Sequence, residues 1–365
     1  MLLSRATVAG LIAVSFLGAC GGGGGPGPAP LNITQEHLAS PVDSASKYLL
    51  YLPNDYGVDT ARQWPLIIFL HGSQPFSNLT LAGLSTQGVM GHMKTSGERL
   101  QAIVVQPQQD VNATGHKIDW HDPVFVDAVI HEVEARYSVD RTRVSITGGS
   151  LGGFGSWNMA LAYPNRFAAV MPVVGGLSND TDSYDRQLPI TNAQDWGTAF
   201  QRLQTVMFRV YAGTYDSQVP IAWARNPVNM LAAVNGNLLD YRENSVSHVG
   251  NHDVAFTTEP IGWMLAQSRP DATEDTSPMA GADYVGSYHM VGGSAVAATL
   301  VNGNLMLTFG DGRRPMPFLY IGDDRFMASW MMRALRDSQG HVKCLVTPLA
   351  LLPAVLKDDA TEACI

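Results

Sequence analysis

Short apolar runs alternate with segments of helical periodicity through the first two thirds of the chain. Continuous apolar runs are typical of strands buried in a parallel sheet, and they predict strands at Lys47–Pro53, Pro65–Gly72, Gln101–Pro107, Arg143–Gly149, Phe167–Val174 and Thr205–Gly213. Apolar residues at helical spacing predict helices between them, such as Phe125–Tyr137. Strands that alternate with helices indicate the α/β class, a mainly parallel sheet covered on both faces, up to about Arg269.

The pattern changes after residue 269. Residues 270–280 are rich in Pro, Asp, Thr and Glu without apolar periodicity, and we interpret them as a linker. Beyond the linker, short apolar runs are separated by turn residues, and Asn302-Gly303 between two such runs predicts a tight hairpin. Residues 281–365 are therefore predicted to form a small, mostly β, barrel-like domain.

The N-terminus carries the signature of an export signal. Arg5 precedes an apolar stretch, Ala6–Leu17, that is too short to span a bilayer as a helix. The sequence LGAC ending at Cys20 resembles the lipobox of bacterial lipoproteins, and glycines 21–25 suit a flexible tether. We expect a signal peptide at residues 1–19, lipidation of Cys20 and a Gly/Pro-rich tether at 20–44. A plain signal peptide and a buried N-terminal helix remain the alternatives.

Composition and charge narrow the class of protein. The chain is 45% hydrophobic and 15% charged, as in ordinary globular proteins. Its 365 residues are more than one hydrophobic core usually serves, so a larger domain at 45–269 and a smaller domain are expected. The net charge of -9 and the lack of a Lys/Arg-rich run argue against nucleic acid as a partner. Besides Cys20 there are two cysteines, Cys344 and Cys364, which are either a disulfide or two free thiols; export favours the disulfide.

The segment around Ser150 carries the strongest chemical signal. Gly148-Gly149-Ser150-Leu151-Gly152 fits G-x-S-x-G and lies between a predicted strand and a predicted helix, as a nucleophile elbow requires. A glycine-rich turn of this kind also occurs in phosphate loops, but neither G-x-G-x-x-G nor G-K-[ST] is present here. We therefore predict that Ser150 is a nucleophile and that the Leu151 N–H binds the oxyanion.

A nucleophilic serine needs a base, and the base needs an acid that holds it in place. In this fold the acid and then the base follow the serine along the chain. Asp216 comes directly after the predicted strand that ends at Gly213, which makes it a better candidate for the acid than Asp182 or Asp195. His248 and His252 both follow a predicted strand. We choose His252 because it lies just before the last predicted core helix.

Two further features complete the predicted site. Two histidines four residues apart can bind a metal from one face of a helix. Gly250-Asn251 between them argues against a helix there, and no ligand cluster accompanies them, so no metal site is predicted.

The predicted strand ending in His71-Gly72 leads into the loop that donates the second oxyanion N–H in this fold, and Ser73 is the candidate donor. We interpret His71 as structural.

The segment Lys47–Gln267 resembles secreted bacterial esterases related to polyhydroxybutyrate depolymerase, feruloyl and acetylxylan esterases and the predicted peptidases of that group. The resemblance runs through WPLIIFLHG, VDRTRVSITGGSLGGFGSW, GTYDSQVP and GNHDVAF. It implies an α/β-hydrolase whose triad is Ser150, Asp216 and His252. Relatives often have Met or Asn where this chain has Leu151, and a Trp near the triad histidine where it has Phe256.

Beyond this segment, GADYVGSYHMVGG and IGDDRFMASW resemble a small β-barrel module appended to β-lactamase-like hydrolases and exported esterases.

These patterns together predict a serine carboxylic-ester hydrolase that works through an acyl-enzyme and needs no cofactor. Its expected partners are a small-molecule or polysaccharide-linked ester and, through a lipid on Cys20, a membrane of the bacterial cell envelope. A serine peptidase with the same triad is the alternative within enzymes, and a non-catalytic, surface-anchored binding protein is the alternative outside them.

Overall fold

The structure is a computed structural model. It describes residues 30–42, 45–72, 80–108, 123–177, 200–272, 280–301, 304–312, 315–322, 324–327, 331–346 and 354–364. The chain divides into two compact units, residues 1–30 and 31–365, and the description below concerns the second. The predicted signal peptide, Cys20, Ser73, most of the predicted linker and the Asn302-Gly303 turn lie outside the described residues.

Eight strands form one sheet in the first part of this unit. They are β1 (Ile33–Val42), β2 (Ala45–Tyr51), β3 (Trp64–Leu70), β4 (Ile103–Pro107), β5 (Val139–Gly149), β6 (Ala169–Val173), β7 (Met207–Gly213) and β8 (Leu239–Asn244). The order is β1-β2-β4-β3-β5-β6-β7-β8. The last six strands in that order run parallel, whereas β1 and β2 are antiparallel to their neighbours.

Helices cover both faces of this sheet. They are α1 (Leu81–Leu84), α2 (Gly88–Ser96), α3 (Pro123–Arg136), α4 (Leu151–Ala162), α5 (Ile221–Asn235), α6 (His248–Ala255) and α7 (Thr258–Ala266). Alternate residues of β3 belong to two separate apolar clusters, one with α3 and α4 and the other with α2 and α7. This arrangement confirms the predicted α/β-hydrolase fold. In the described part of the chain, none of the helices has the length and apolar character of a membrane span.

The first strand lies where the sequence predicted a tether. Residues 33–42 form β1, which pairs with β2 so that Ile33 lies opposite Tyr51. β1 is an edge strand, and most of its described side chains are exposed or half-buried while Leu38 is buried. An edge strand is held largely by backbone hydrogen bonds, so its side chains show no apolar run that a sequence pattern would detect. The sheet thus begins before residue 45.

The second part of the unit is a closed antiparallel barrel. Its strands are β9 (Gly286–Met290), β10 (Ala295–Val301), β11 (Asn304–Phe309), β12 (Met316–Gly322), β13 (Arg325–Met327), β14 (Met331–Arg336), β15 (Val342–Val346) and β16 (Ala354–Lys357). β16 pairs back onto β9, with Val355 opposite Met290, so every edge is paired. Tyr288, Phe318 and Phe326 are fully buried in its core. The predicted small β-barrel is confirmed.

The barrel packs against the helices of the sheet. β12 contacts both α3 and α4. Leu319 of β12 is buried and belongs to the same apolar cluster as the side chains of these two helices. Since α4 is the helix that follows Ser150, the barrel supports the helix next to the candidate nucleophile.

A disulfide joins Cys344 in β15 to Cys364, 20 residues further along the chain. A loop of this length restricts the unfolded chain, and the chain-entropy model assigns it about 3 kcal/mol. We expect the Cys344→Ala, Cys364→Ala double variant to lose about that much free energy of unfolding, measured by urea denaturation. The reduced parent protein is the matched control and should lose a similar amount. An unchanged urea midpoint in both would contradict this expectation.

Candidate active site

Ser150 lies at the sharp turn between β5 and α4. Its φ of 58° and ψ of -118° are in a region that non-glycine residues rarely adopt. Backbone hydrogen bonds hold the turn: the Ser150 N–H donates to the Val173 carbonyl at 2.9 Å, and the Ser150 carbonyl accepts from the Gly153 N–H at 2.8 Å. The strain is thus imposed by the surrounding strands and helix, as in a nucleophile elbow.

The glycines flanking Ser150 allow three backbone segments to meet. A Cβ added to Gly152 would lie 1.9 Å from the Leu70 carbonyl oxygen, and one on Gly148 would lie 2.5 Å from the same oxygen. The start of α4 therefore packs directly on the end of β3. This places the Leu151 N–H in the first turn of a helix beside Ser150, where amide groups point outward and attract an oxyanion. A Cβ on Gly72 would lie 3.4 Å from Ser150 Cβ, so the loop that begins after β3 also starts beside Ser150.

Asp216 and His248 form a hydrogen-bonded pair. Asp216 follows β7, and its Oδ2 accepts from His248 Nδ1 at 2.7 Å. Its Oδ1 accepts from the backbone N–H groups of Gln218 at 2.8 Å and Val219 at 2.9 Å. The carboxyl side chain is only 2% exposed. Because Asp216 accepts all three bonds, Nδ1 of the neutral His248 ring carries the proton and Nε2 is left as a proton acceptor.

The histidine on Asp216 is therefore His248, whereas the sequence predicted His252 at this position. The difference arises from α6, which begins at His248 although Gly250-Asn251 argued for a loop. Two local features offset the low helix propensity of these residues. Ser247 caps the helix by accepting from the Gly250 N–H at 3.2 Å, and the buried Asn251 side chain donates to the Ser247 carbonyl.

His252 lies one helical turn after His248, and the two ring centroids are 5.6 Å apart. Its ring packs on Gly149, the residue before Ser150, and edge-on against Phe256. Its Nε2 is buried without a hydrogen-bond partner. Burial first, and then the neighbouring His248, lower the pKa of His252 from 6.5 to about 4, so the ring is neutral near pH 7.

Other predicted residues have simpler surroundings. His71 is buried, and its Nδ1–H donates to the Gly72 carbonyl at 2.8 Å. Asp182 and Asp195, the weaker candidates for the acid, lie outside the described residues. Within the ranges that the structure describes, no group of three or more His, Cys, Asp or Glu side chains is arranged to hold a metal ion.

Comparison with known proteins identifies the family. The model of the Esterase family ("Putative esterase") matches residues 41–226, which is half of the chain and includes Ser150 and Asp216. The chain belongs to the Esterase family. The matched region contains most of the sheet, from β2 to β7, and the turn that holds Ser150.

Alignments with individual relatives cover smaller parts of this chain. A probable feruloyl esterase C of Aspergillus terreus is 32% identical over 37% of the chain and 48% of the relative. Poly(3-hydroxyalkanoate) depolymerase C of Paucimonas lemoignei is 29% identical over 31% of the chain and 28% of the relative. The chain thus spans half or less of the length of these curated relatives. The solved structure of a thermostable esterase aligns with a TM-score of 0.50 at 23% identity, covering 65% of this chain and 64% of that one, which shows a shared fold.

Proposed function

We propose that this protein hydrolyses carboxylic esters with Ser150 as nucleophile, His248 as base and Asp216 as the acid that orients it. The hydrogen-bonded pair of Asp216 and His248 is the observation that carries the proposal. The two residues follow β7 and β8, and Ser150 follows β5. Because these strands are parallel, their carboxyl ends share the edge of the sheet where active sites of α/β folds lie.

The proposed reaction has two halves. His248 Nε2 takes the proton from Ser150 Oγ as this oxygen attacks the ester carbonyl carbon, and Asp216 stabilises the imidazolium that forms. The Leu151 N–H donates to the negative oxygen of the tetrahedral intermediate. His248 then returns the proton to the departing alcohol, which leaves the acyl group on Ser150. Water, deprotonated by His248, hydrolyses the acyl-enzyme and restores the free serine.

The substrate class follows from the relatives. Those cited above are named feruloyl esterase and poly(3-hydroxyalkanoate) depolymerase, and both names describe the cleavage of carboxylic esters. We therefore propose a small-molecule or polysaccharide-linked ester as substrate. The same three residues also suit amide cleavage, and a peptide substrate is accordingly one outcome of the test below.

A substrate panel tests this proposal. Purified full-length protein is assayed on short-chain nitrophenyl esters, feruloylated and acetylated sugars, and peptides, with the Ser150→Ala variant as the matched background. We expect hydrolysis of esters far above that background, and covalent labelling of Ser150 by a fluorophosphonate, located by peptide mass spectrometry. Cleavage of peptides alone would show a peptidase. No labelling and no cleavage would support the non-catalytic alternative.

We also propose that Cys20 becomes the lipidated N-terminus of the mature protein. Support comes from LGAC after a short apolar stretch and from the glycine run that follows. Several acyl chains on one residue give stable membrane binding, whereas a single chain is marginal. Mass spectrometry of the membrane fraction of an expressing bacterium is expected to show an acylated Cys20. The Cys20→Ser variant should lose this modification and leave the membrane fraction. A parent protein that is soluble and begins at another residue would contradict the proposal.

A further inference from the structure

The ring of His252 occupies space that a side chain on Gly149 would otherwise fill. A Cβ added to Gly149 would lie 2.4 Å from His252 Cε1, 2.8 Å from Nε2 and 2.9 Å from Nδ1. The His252 ring could not keep this position beside a Cβ on Gly149, because real Cβ atoms essentially never lie within 3.0 Å of other heavy atoms. The imidazole therefore packs directly on the backbone of the residue before Ser150.

This contact joins the helix of the base to the turn of the nucleophile. His248 and His252 lie one turn apart on α6, so side chains at these two positions project from the same face of the helix. Behind His252, Phe256 packs edge-on against the ring with centroids 5.9 Å apart. Phe256 in turn packs edge-on against Phe69 of β3 at 5.2 Å. One face of α6 is thereby held between the nucleophile turn and the sheet.

The charge state of this ring suits a packing role. His248 faces it from the same helix and disfavours its protonation, while Asp253 and Asp216 favour protonation more weakly than burial opposes it. The unpartnered Nε2 costs stability, and buried polar atoms without partners are uncommon enough to need an explanation. A neutral planar ring fits against Gly149 and Phe256. This packing beside the nucleophile explains why the His252 Nε2 is buried without a partner.

We propose that His252 is a positioning residue of the hydrolytic reaction, whose ring on Gly149 holds α6 so that His248 stays within reach of Ser150. The inference rests on the proposed function, because it takes His248 as the base. It predicts that Gly149 and His252 act as one contact. Disturbing either one shifts the base relative to the nucleophile without removing a reacting atom.

A double-mutant cycle tests this coupling. The variants are Gly149→Ala, His252→Ala, their combination, and His252→Phe, and each is assayed for kcat and KM on one activated ester. The concentration of active protein is measured by fluorophosphonate titration, so that kcat is expressed per labelled serine. Gly149 has no positive φ, so alanine at this position is compatible with the backbone. The three heavy atoms nearest to the added methyl group all belong to the His252 ring.

We expect Gly149→Ala to lower kcat about 100-fold, the scale on which a displacement of about 1 Å acts, with KM little changed. The double variant should be no slower than His252→Ala alone, because the ring atoms nearest to the methyl group are then absent. His252→Phe should recover most of the kcat lost in His252→Ala, since it restores a ring without the unpartnered nitrogen.

Three outcomes would overturn the inference. The first is a wild-type kcat in His252→Ala, and the second is a double variant whose loss of kcat equals the product of the losses in the two single variants. The third is a loss of active protein with unchanged kcat per labelled serine, which would indicate a merely structural role. Failure of the proposed function is separable from these outcomes. It would appear as activity retained in Ser150→Ala or His248→Ala, neither of which is part of the cycle.

Discussion

The Ser150→Ala variant is expected to lose about four orders of magnitude or more in kcat on an activated ester, because loss of the proposed nucleophile removes the acyl-enzyme route. The fold should persist, since the hydrogen bonds that hold this turn come from the backbone, including that from the Ser150 N–H to the Val173 carbonyl. The measurements are kcat, fluorophosphonate labelling and the melting temperature.

Ser138→Ala provides the matched control, because Ser138 directly precedes β5 whereas Ser150 directly follows it. We expect this control to keep its activity and its labelling. Labelling of Ser150→Ala to the same extent as the parent protein would contradict the assignment of Ser150 as nucleophile.

The second large effect is expected at His248. His248→Ala should be as inactive as Ser150→Ala, and the Ser150→Ala, His248→Ala combination should be no worse than either alone, because members of a triad act as a unit. Asp216→Asn should lower kcat by about 10⁴-fold, since an amide at this position favours the wrong tautomer of His248. The measurement is kcat/KM for all variants on one activated ester.

The His252→Phe variant distinguishes between His248 and His252 as the base. His252→Phe lacks an ionisable ring but is expected to keep substantial activity, because the hydrogen bond to Asp216 belongs to His248. If His252→Phe were as inactive as Ser150→Ala while His248→Ala remained active, His252 would be the base, as predicted from the sequence. The pair of variants therefore decides between the histidines.

Several elements of this protein could be predicted from sequence because their signals are local. Every predicted core strand from Pro65–Gly72 to Thr205–Gly213 overlaps a strand of the sheet, since strands buried on both faces form near-continuous apolar runs in the sequence. The strand-to-helix turn at Ser150 could also be predicted from the sequence. Gly148, Gly152 and Gly153 are required by backbone contacts of 2.5 Å or less that any side chain would block.

Two elements that have no clear apolar pattern of their own were missed. β1 was mistaken for part of a tether because an edge strand is held by its pairing with β2 rather than by an apolar run. α6 was mistaken for a loop because Gly250 and Asn251 are poor helix formers. The Ser247 cap was a signal within the sequence, whereas the burial of Asn251 became visible only in the folded chain.

By itself, the sequence determined the α/β class, the barrel-like C-terminal part, the strand-to-helix turn at Ser150 and the position of Asp216 after a core strand. Each of these depends on residues that are neighbours along the chain. Only the tertiary structure decided which histidine meets Asp216. His248 and His252 are four residues apart and follow the same strand, so chain order and composition do not separate them. The packing of α6 against Gly149 and Phe256 brings His248 to the Asp216 carboxylate and His252 to the backbone beside Ser150.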